Sequence, residues 1–136
     1  MKKYFVLSND KIYSKNSEVS SDFNDTTNII ESIGKKYEIL LLSRNSKKKL
    51  PFTVKIFNKI TKTNYSSIFS SNKYEQINVF VISITWRNLF NFLLIKFLKG
   101  KVSGYVYLRS DGSKEYQKKI GIVGVIFYKW MFNYFK

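Results

Sequence analysis

Short apolar runs alternate along the chain with segments whose apolar residues recur at helical spacing. Four of these runs are nearly continuous and end in polar residues, which predicts buried strands. The predicted strands are Tyr4–Ser8, Tyr37–Ser43, Ile77–Ile84 and Val102–Leu108. Runs without strict alternation are typical of strands that are covered on both faces of a sheet.

The segments between these runs predict helices and loops. A helix capped by Asp25, Thr26 or Thr27 is predicted to extend to about Lys36. A proline suits the first turn of a helix, because it has no N–H to leave unpaired there. The other predicted elements are a weak helix from Pro51 through Ile60, a well-buried helix from Thr85 to Gly100, a final helix from Ser113 onward, and polar loops at 11–24 and 61–75.

The alternation of strands and helices predicts an α/β fold. It is typical of a Rossmann-like, open parallel sheet of about four to five strands, with right-handed crossovers and flanking helices. The 136 residues contain no recognisable linker, so a single domain over residues 1–136 is expected.

Polar clusters follow each of the predicted strands. Because open parallel sheets bind ligands outside the carboxyl ends of their strands, we expect these clusters to meet at one edge and form a site. Turn chemistry is an alternative explanation for the last cluster, since chains turn at the surface. The clusters include all three arginines of the chain and two aspartates, namely Arg44, Arg87, Arg109, Asp10 and Asp111.

The residues that are missing exclude several kinds of chemistry. The chain has no cysteine and no histidine, which excludes disulfides, thiolate or imidazole metal sites and a Ser-His-Asp triad. Ser8-Asn9-Asp10-Lys11 stands where a dinucleotide-binding protein has its glycine-rich loop. We therefore predict no catalytic, cofactor-binding or metal-binding residues within this chain.

The charge balance indicates an anionic partner. The chain has 24 Lys and Arg side chains against 9 Asp and Glu, a net charge of +15, which suits a membrane surface, a nucleic acid or a phosphorylated substrate. Codon bias is an alternative, since 21 of the basic residues are lysine. The apolar segment Ile120–Phe135 is read as a buried helix, or as an interfacial helix with Tyr128, Trp130 and Tyr134 at the level of the lipid headgroups.

Three stretches resemble the N-terminal domain of family 4-like glycosyltransferases with the GT-B fold, which build bacterial surface polysaccharide and lipopolysaccharide. The stretches are YVYLRSDGSKEY (Tyr105–Tyr116), the following KKIGIVGVIFYKWMF, and DTTNIIESI leading into YEILLLSR. The resemblance implies a truncated transferase domain that holds the acceptor. The nucleotide-sugar would bind a missing C-terminal half, so this chain alone would be inactive. The sequence departs from the family at Lys11–Phe23, which lacks the usual glycines.

The resemblance also assigns roles to the residues at the strand ends. Asn9 and Asp10 would bind sugar hydroxyls, Trp86 would stack on a sugar or lie in the core, and the cluster after the last strand would position the acceptor or its phosphate. The partners would be a glycan or lipid-linked acceptor and an anionic membrane, with no nucleic acid.

The first apolar run is too short for a signal peptide, so the protein is expected in the cytoplasm. The membrane partner would place it at the inner face of the plasma membrane. The alternative function is a non-enzymatic basic module that binds nucleic acid or an anionic membrane. The predicted substrate-binding residues are Asn9, Asp10, Trp86, Arg109, Ser110, Asp111 and Gly112.

Overall fold

The computed structural model describes residues 3–16, 18–55, 60–62, 77–99, 101–109 and 112–136. Within these residues the chain forms a seven-stranded mixed sheet and four helices. The strands are β1 (Lys3–Lys15), β2 (Glu18–Ser21), β3 (Glu38–Asn45), β4 (Phe52–Thr53), β5 (Ile60–Lys62), β6 (Ile77–Ile82) and β7 (Val102–Tyr107). The helices are α1 (Asn24–Gly34), α2 (Trp86–Lys99), α3 (Gly112–Ile120) and α4 (Ile122–Phe135).

Five of the strands are parallel and lie in the order β5-β3-β1-β6-β7. The first strand is central, and Leu7 pairs with Leu42 of β3 on one side and with Val81 of β6 on the other. Both neighbours run in the same direction as β1, so their carboxyl ends meet at one edge. The predicted α/β class is confirmed.

The expectation of a purely parallel sheet is wrong, because β2 and β4 add an antiparallel extension. The first strand continues past Ser8 to Lys15, and β2 then folds back on it, with Ile12 opposite Ser21. The segment expected to be a loop at 11–24 is thus largely a hairpin. Its apolar residues explain the difference, because Ile12 and Val19 are both buried in the core.

The weak helix predicted after Pro51 is also wrong. Phe52 and Thr53 form β4, which pairs with β2, and the N–H of Val54 donates to the carbonyl oxygen of Val19. Aromatic and β-branched residues favour a pleated strand over a helix, which outweighs the proline signal here. The remainder of that prediction, and most of the predicted loop at 61–75, lies outside the described residues.

Both faces of the central sheet are covered, as the continuous apolar runs predict. Successive residues of β1 point to opposite faces, so Phe5 and Leu7 share a cluster with Ile95 of α2, whereas Val6 packs with Ile30 of α1. Phe135 of α4 packs against the α2 side. This arrangement leaves the carboxyl edge of the strands open between the helices.

The final helix predicted from Ser113 is broken into α3 and α4. Gly121 has a positive φ of 68°, a conformation that glycine adopts without steric cost. A Cβ on Gly124 would collide with the backbone carbonyl of Tyr116, so a glycine there lets the two helices pack closely.

The helix α2 is less buried than the sequence predicts, and α4 is not the fully buried helix that is one of its two predicted alternatives. Leu89 and Ile95 are buried on α2 and Tyr128 and Met131 on α4, while large apolar side chains on the other sides of both helices are exposed. Tyr128, which the interfacial alternative places at headgroup level, lies in the core. None of the helices in the part of the chain that the structure describes is long and apolar enough to cross a bilayer.

Candidate ligand site at the carboxyl edge of the sheet

A bulge in β1 forms the floor of the candidate site. Leu7 pairs with Leu42, but the next pair is Lys11 with Arg44, so β1 has extra residues at Ser8–Asp10. The N–H of Asp10 donates to Ser8 Oγ at 3.1 Å, and Arg44 Nε donates to the carbonyl oxygen of Asn9 at 2.6 Å. Bulges of this kind redirect a side chain away from the regular ladder, and here that side chain is Asp10.

Asp10 forms a two-pronged ion pair with Arg109, which follows β7 at the far side of β6. Arg109 Nη1 lies 3.0 Å from Asp10 Oδ1, and Arg109 Nη2 lies 2.8 Å from Asp10 Oδ2. The Asp10 side chain is only 11% exposed and the Arg109 side chain 19%. Because the pair is bidentate and mostly buried, it is stronger and more directional than a surface ion pair.

The beginning of α1 completes the surroundings of this pair. The Thr26 hydroxyl donates to Asp10 Oδ2 and accepts from Arg109 Nη2 at 2.6 Å. The Arg109 guanidinium lies 4.3 Å from the centroid of the Phe23 ring, and its Nε is 3.9 Å from Asp25 Oδ2. A cation over an aromatic face is favourable, so Arg109 is held from several sides.

These contacts shift the pKa values of both partners toward the charged forms. Burial by itself would raise the pKa of Asp10, but hydrogen bonds from Arg109 and Thr26 and the Arg109 charge outweigh it and lower that pKa. The hydrogen bond to Asp10 raises the pKa of Arg109, against the opposing effect of burial. Asp10 is therefore an ionised hydrogen-bond acceptor at neutral pH rather than a general acid.

The end of β6 is held by Asn88, a residue that the sequence reasoning missed. Asn88 is fully buried, and its Nδ2 donates to the carbonyl oxygens of Ile82 and Ser83, both at 2.9 Å. Ser83 has a positive φ of 67°, and its N–H donates to the carbonyl oxygen of Tyr107. The signal was an asparagine within an apolar helix, three residues after its capping residue Thr85, whose hydroxyl accepts from the N–H of Asn88.

A pocket of about 350 Å³ lies above these strand ends. Its lining comes from the β1 bulge, from the carboxyl ends of β3, β6 and β7, from Phe23 just before α1, and from the helices α3 and α4. Gly112 belongs to it, and a Cβ there would collide with the Tyr128 ring. The described residues that line it are Asn9, Asp10, Phe23, Arg44, Ser83, Ile84, Thr85, Arg109, Gly112, Glu115, Tyr116, Lys119 and Tyr128.

The structure brings together four of the predicted site residues. Asn9, Asp10, Arg109 and Gly112 all line the pocket, whereas Ser110 and Asp111 lie outside the described residues. The predicted set did not include the hydroxyl-bearing residues of the lining, which are Ser83, Thr85, Tyr116 and Tyr128. Ser83 and Thr85 follow β6 at the predicted edge, whereas only the packing of α3 and α4 shows that Tyr116 and Tyr128 face the strand ends.

Trp86 lies beside the pocket and not in the core. Its side chain is 55% exposed, and its ring centroid is 5.3 Å from that of Phe127. The backbone N–H of Trp86 donates to the hydroxyl of Tyr116, which does line the pocket. Trp86 therefore stands at the boundary between the pocket and the outer surface of α4.

All three arginines engage the same edge of the sheet. Arg44 and Arg109 bind the β1 bulge as described, and Arg87 Nη2 donates to the carbonyl oxygen of Ser43 at 3.2 Å, at the end of β3. Lys119 adds a further cation to the lining and is paired with Glu115 at 2.7 Å. The pocket thus combines cations, the carboxylates of Asp10 and Glu115, hydroxyl groups and aromatic rings, a lining suited to a polar ligand with many hydrogen-bonding groups.

Among the described residues, no group of three or more acidic side chains is placed to hold a metal ion. No known protein family, curated protein or solved structure matches the chain. The resemblance to glycosyltransferases therefore rests on the quoted sequence stretches alone, and the pocket itself is the basis for a functional proposal.

Proposed function

We propose that the pocket binds a sugar-bearing acceptor and that the chain is the acceptor-side part of a glycosyltransferase. The observation that carries the proposal is the position of the pocket. The parallel strands lie in the order β5-β3-β1-β6-β7, in which the chain direction across the sheet reverses between β1 and β6. Open α/β sheets bind ligands at such a switch point, outside the carboxyl ends of the strands, and Asp10 and Thr85 line the pocket there.

The chemistry of the lining supports a sugar as the ligand. The ionised Asp10 carboxylate accepts hydrogen bonds, the Thr85 and Tyr116 hydroxyls can donate or accept them, and sugar hydroxyls do both. The Tyr116 ring, which is only partly buried, also lines the pocket. Arg44 and Lys119 add positive charge for a phosphate on the acceptor.

The donor is assigned to another domain. The hydrogen-bonded side chains of Asp10, in the β1 bulge, and Thr26, in the first turn of α1, lie beside the strand ends, where a Rossmann-like nucleotide site has its glycine-rich phosphate loop. We therefore propose that the nucleotide-sugar binds a further domain, that this chain carries no cofactor of its own, and that the acceptor is a glycan or lipid-linked sugar on the cytoplasmic face of the membrane.

A ligand panel followed by saturation-transfer NMR tests this proposal. Glucose, N-acetylglucosamine and their 1-phosphates would be compared with a single-stranded oligonucleotide, each added to the chain without lipid. We expect at least one sugar or sugar phosphate to bind. We expect Lys119→Met to weaken binding of the 1-phosphate severalfold, because one charge is lost from the lining.

Lys49→Met is the matched control, since Lys49 is equally exposed and paired with Glu18 but lies outside the pocket. It should leave sugar binding unchanged. If no sugar or sugar phosphate binds, or if the oligonucleotide alone binds with a steep salt dependence, the acceptor-site proposal is wrong.

A further inference from the structure

A stripe of large apolar side chains is exposed along α2, and a second stripe is exposed along α4. Phe97 is 88% exposed, Ile126 64% and Trp130 52%. Large contiguous apolar patches are uncommon on a monomeric protein and indicate an interaction surface. We call this surface the α2–α4 face, and it consists of Trp86, Phe90, Leu93 and Phe97 on α2 and Ile126, Trp130 and Tyr134 on α4.

Ring and cation contacts join the two stripes into one surface. The Trp86 ring lies 5.3 Å from Phe127, which itself stacks on Trp130 at 6.0 Å. Nearer the other end, Lys96 Nζ lies 5.9 Å from the centroid of the Tyr134 ring. The helices α2 and α4 therefore lie side by side and present their apolar stripes together.

The positive charge around this face indicates an anionic binding partner. Residues 86–136 contain ten Lys and Arg side chains but only two acidic residues, Asp111 and Glu115. Lys96 and Lys129 are exposed on the two helices of the face itself. A second copy of the chain is disfavoured, because each copy carries a net charge of +15.

Nucleic acid does not match the rest of the surface. Bases would stack on Trp130 and Tyr134, but Leu93, Phe97 and Ile126 offer an apolar surface with no polar group to bind. Aromatic and aliphatic side chains bordered by lysines are the composition of helices that lie in the headgroup region of an anionic bilayer.

We infer that the α2–α4 face docks the protein on an anionic lipid bilayer, with α2 and α4 lying in the plane of the headgroups. This goes beyond the proposed function, because it rests on the helix surfaces and not on the pocket. The two are neighbours, since the N–H of Trp86 on the face donates to Tyr116 in the pocket lining. Docking would hold the mouth of the pocket close to ligands that are anchored in the membrane.

Co-sedimentation with vesicles tests the inference. Vesicles of phosphatidylcholine alone would be compared with vesicles of phosphatidylcholine mixed with phosphatidylglycerol. We expect the chain to sediment with the mixed vesicles only, and less at high salt, since surface charges are screened. We expect Phe97→Asp to weaken this binding about tenfold or more, because it removes a ring that docking would bury in the bilayer and adds a negative charge.

Phe52→Asp is the matched control, because it makes the same substitution at an exposed phenylalanine of β4, away from the face. It should bind mixed vesicles as the unmodified chain does, and circular dichroism would check that both variants are folded. Equal binding to both kinds of vesicle, equal losses in the two variants, or no binding at all would overturn the inference. The inference would also be overturned if the unmodified chain does not bind vesicles but forms a dimer in sedimentation velocity that Phe97→Asp disrupts. None of these results bears on sugar binding, which is measured without lipid.

Discussion

Replacing Arg109 with methionine is expected to lower the free energy of unfolding by about 3–5 kcal/mol, the usual cost of removing one partner from a buried ion pair. Asp10 would remain mostly buried, with the Thr26 hydroxyl as its main side-chain partner. Methionine has a similar length and adds no charge, so the loss reports the missing guanidinium. Urea denaturation at neutral pH measures it from the midpoint and slope.

Lys49→Met is the control for this change, since it breaks a more exposed ion pair with Glu18 and should cost at most about 1 kcal/mol. The double variant Asp10→Asn with Arg109→Met should recover part of the lost stability, because no unpaired charge remains.

The contribution of the ion pair is complete above the ordinary aspartate pKa of 3.8 and is lost as the pH falls through the lowered pKa of folded Asp10. The difference between Arg109→Met and the unmodified chain should therefore shrink in acid. Equal losses in Arg109→Met and Lys49→Met at neutral pH would contradict the buried pair.

Replacing Asn88 with alanine is expected to cost about 2 kcal/mol or more, because a buried carbonyl that loses its donor costs about 1–3 kcal/mol. The amide of Asn88 donates to two such carbonyls, those of Ile82 and Ser83. The loss should be accompanied by faster hydrogen exchange of the Ser83 amide, whose bond to Tyr107 depends on the shape of this turn.

Asn133→Ala is the matched control, since it makes the same substitution at an exposed helical position. Alanine is a better helix former than asparagine, so this variant should be as stable as the unmodified chain. If the two variants have the same stability, Asn88 does not hold the end of β6.

The parallel part of the fold could be predicted from the sequence, because its strands are local apolar runs covered on both faces. The antiparallel hairpin could not. Its two core residues, Ile12 and Val19, are isolated among polar neighbours, and Ser20 and Ser21 are buried as well. The hydroxyl of Ser20 accepts from the N–H of Leu50 at 3.0 Å, a long-range contact that gives no local signal.

The candidate site was predictable in its location but not in its connections. Polar residues at strand ends indicated the edge of the sheet, and Asp10 and Arg109 were among them. Their pairing joins residues 99 positions apart, and it depends on β7 lying two strands from β1 in the parallel order. The burial of α2 was overestimated, and the two alternatives for α4 could not be separated, because an apolar pattern does not show which side of a helix another element covers.

The pairing of Asp10 with Arg109 also depends directly on the direction of β7 in the sheet. If β7 ran in the opposite direction, Arg109 would lie at the other edge of the sheet and could not reach the β1 bulge. Carbon-detected NMR of the Asp10 carboxyl group during a pH titration measures this contact in solution. We expect a midpoint below the ordinary value of 3.8 and a higher midpoint in Arg109→Met. A midpoint at or above 3.8 in the unmodified chain, or one that Arg109→Met leaves unchanged, would contradict this pairing.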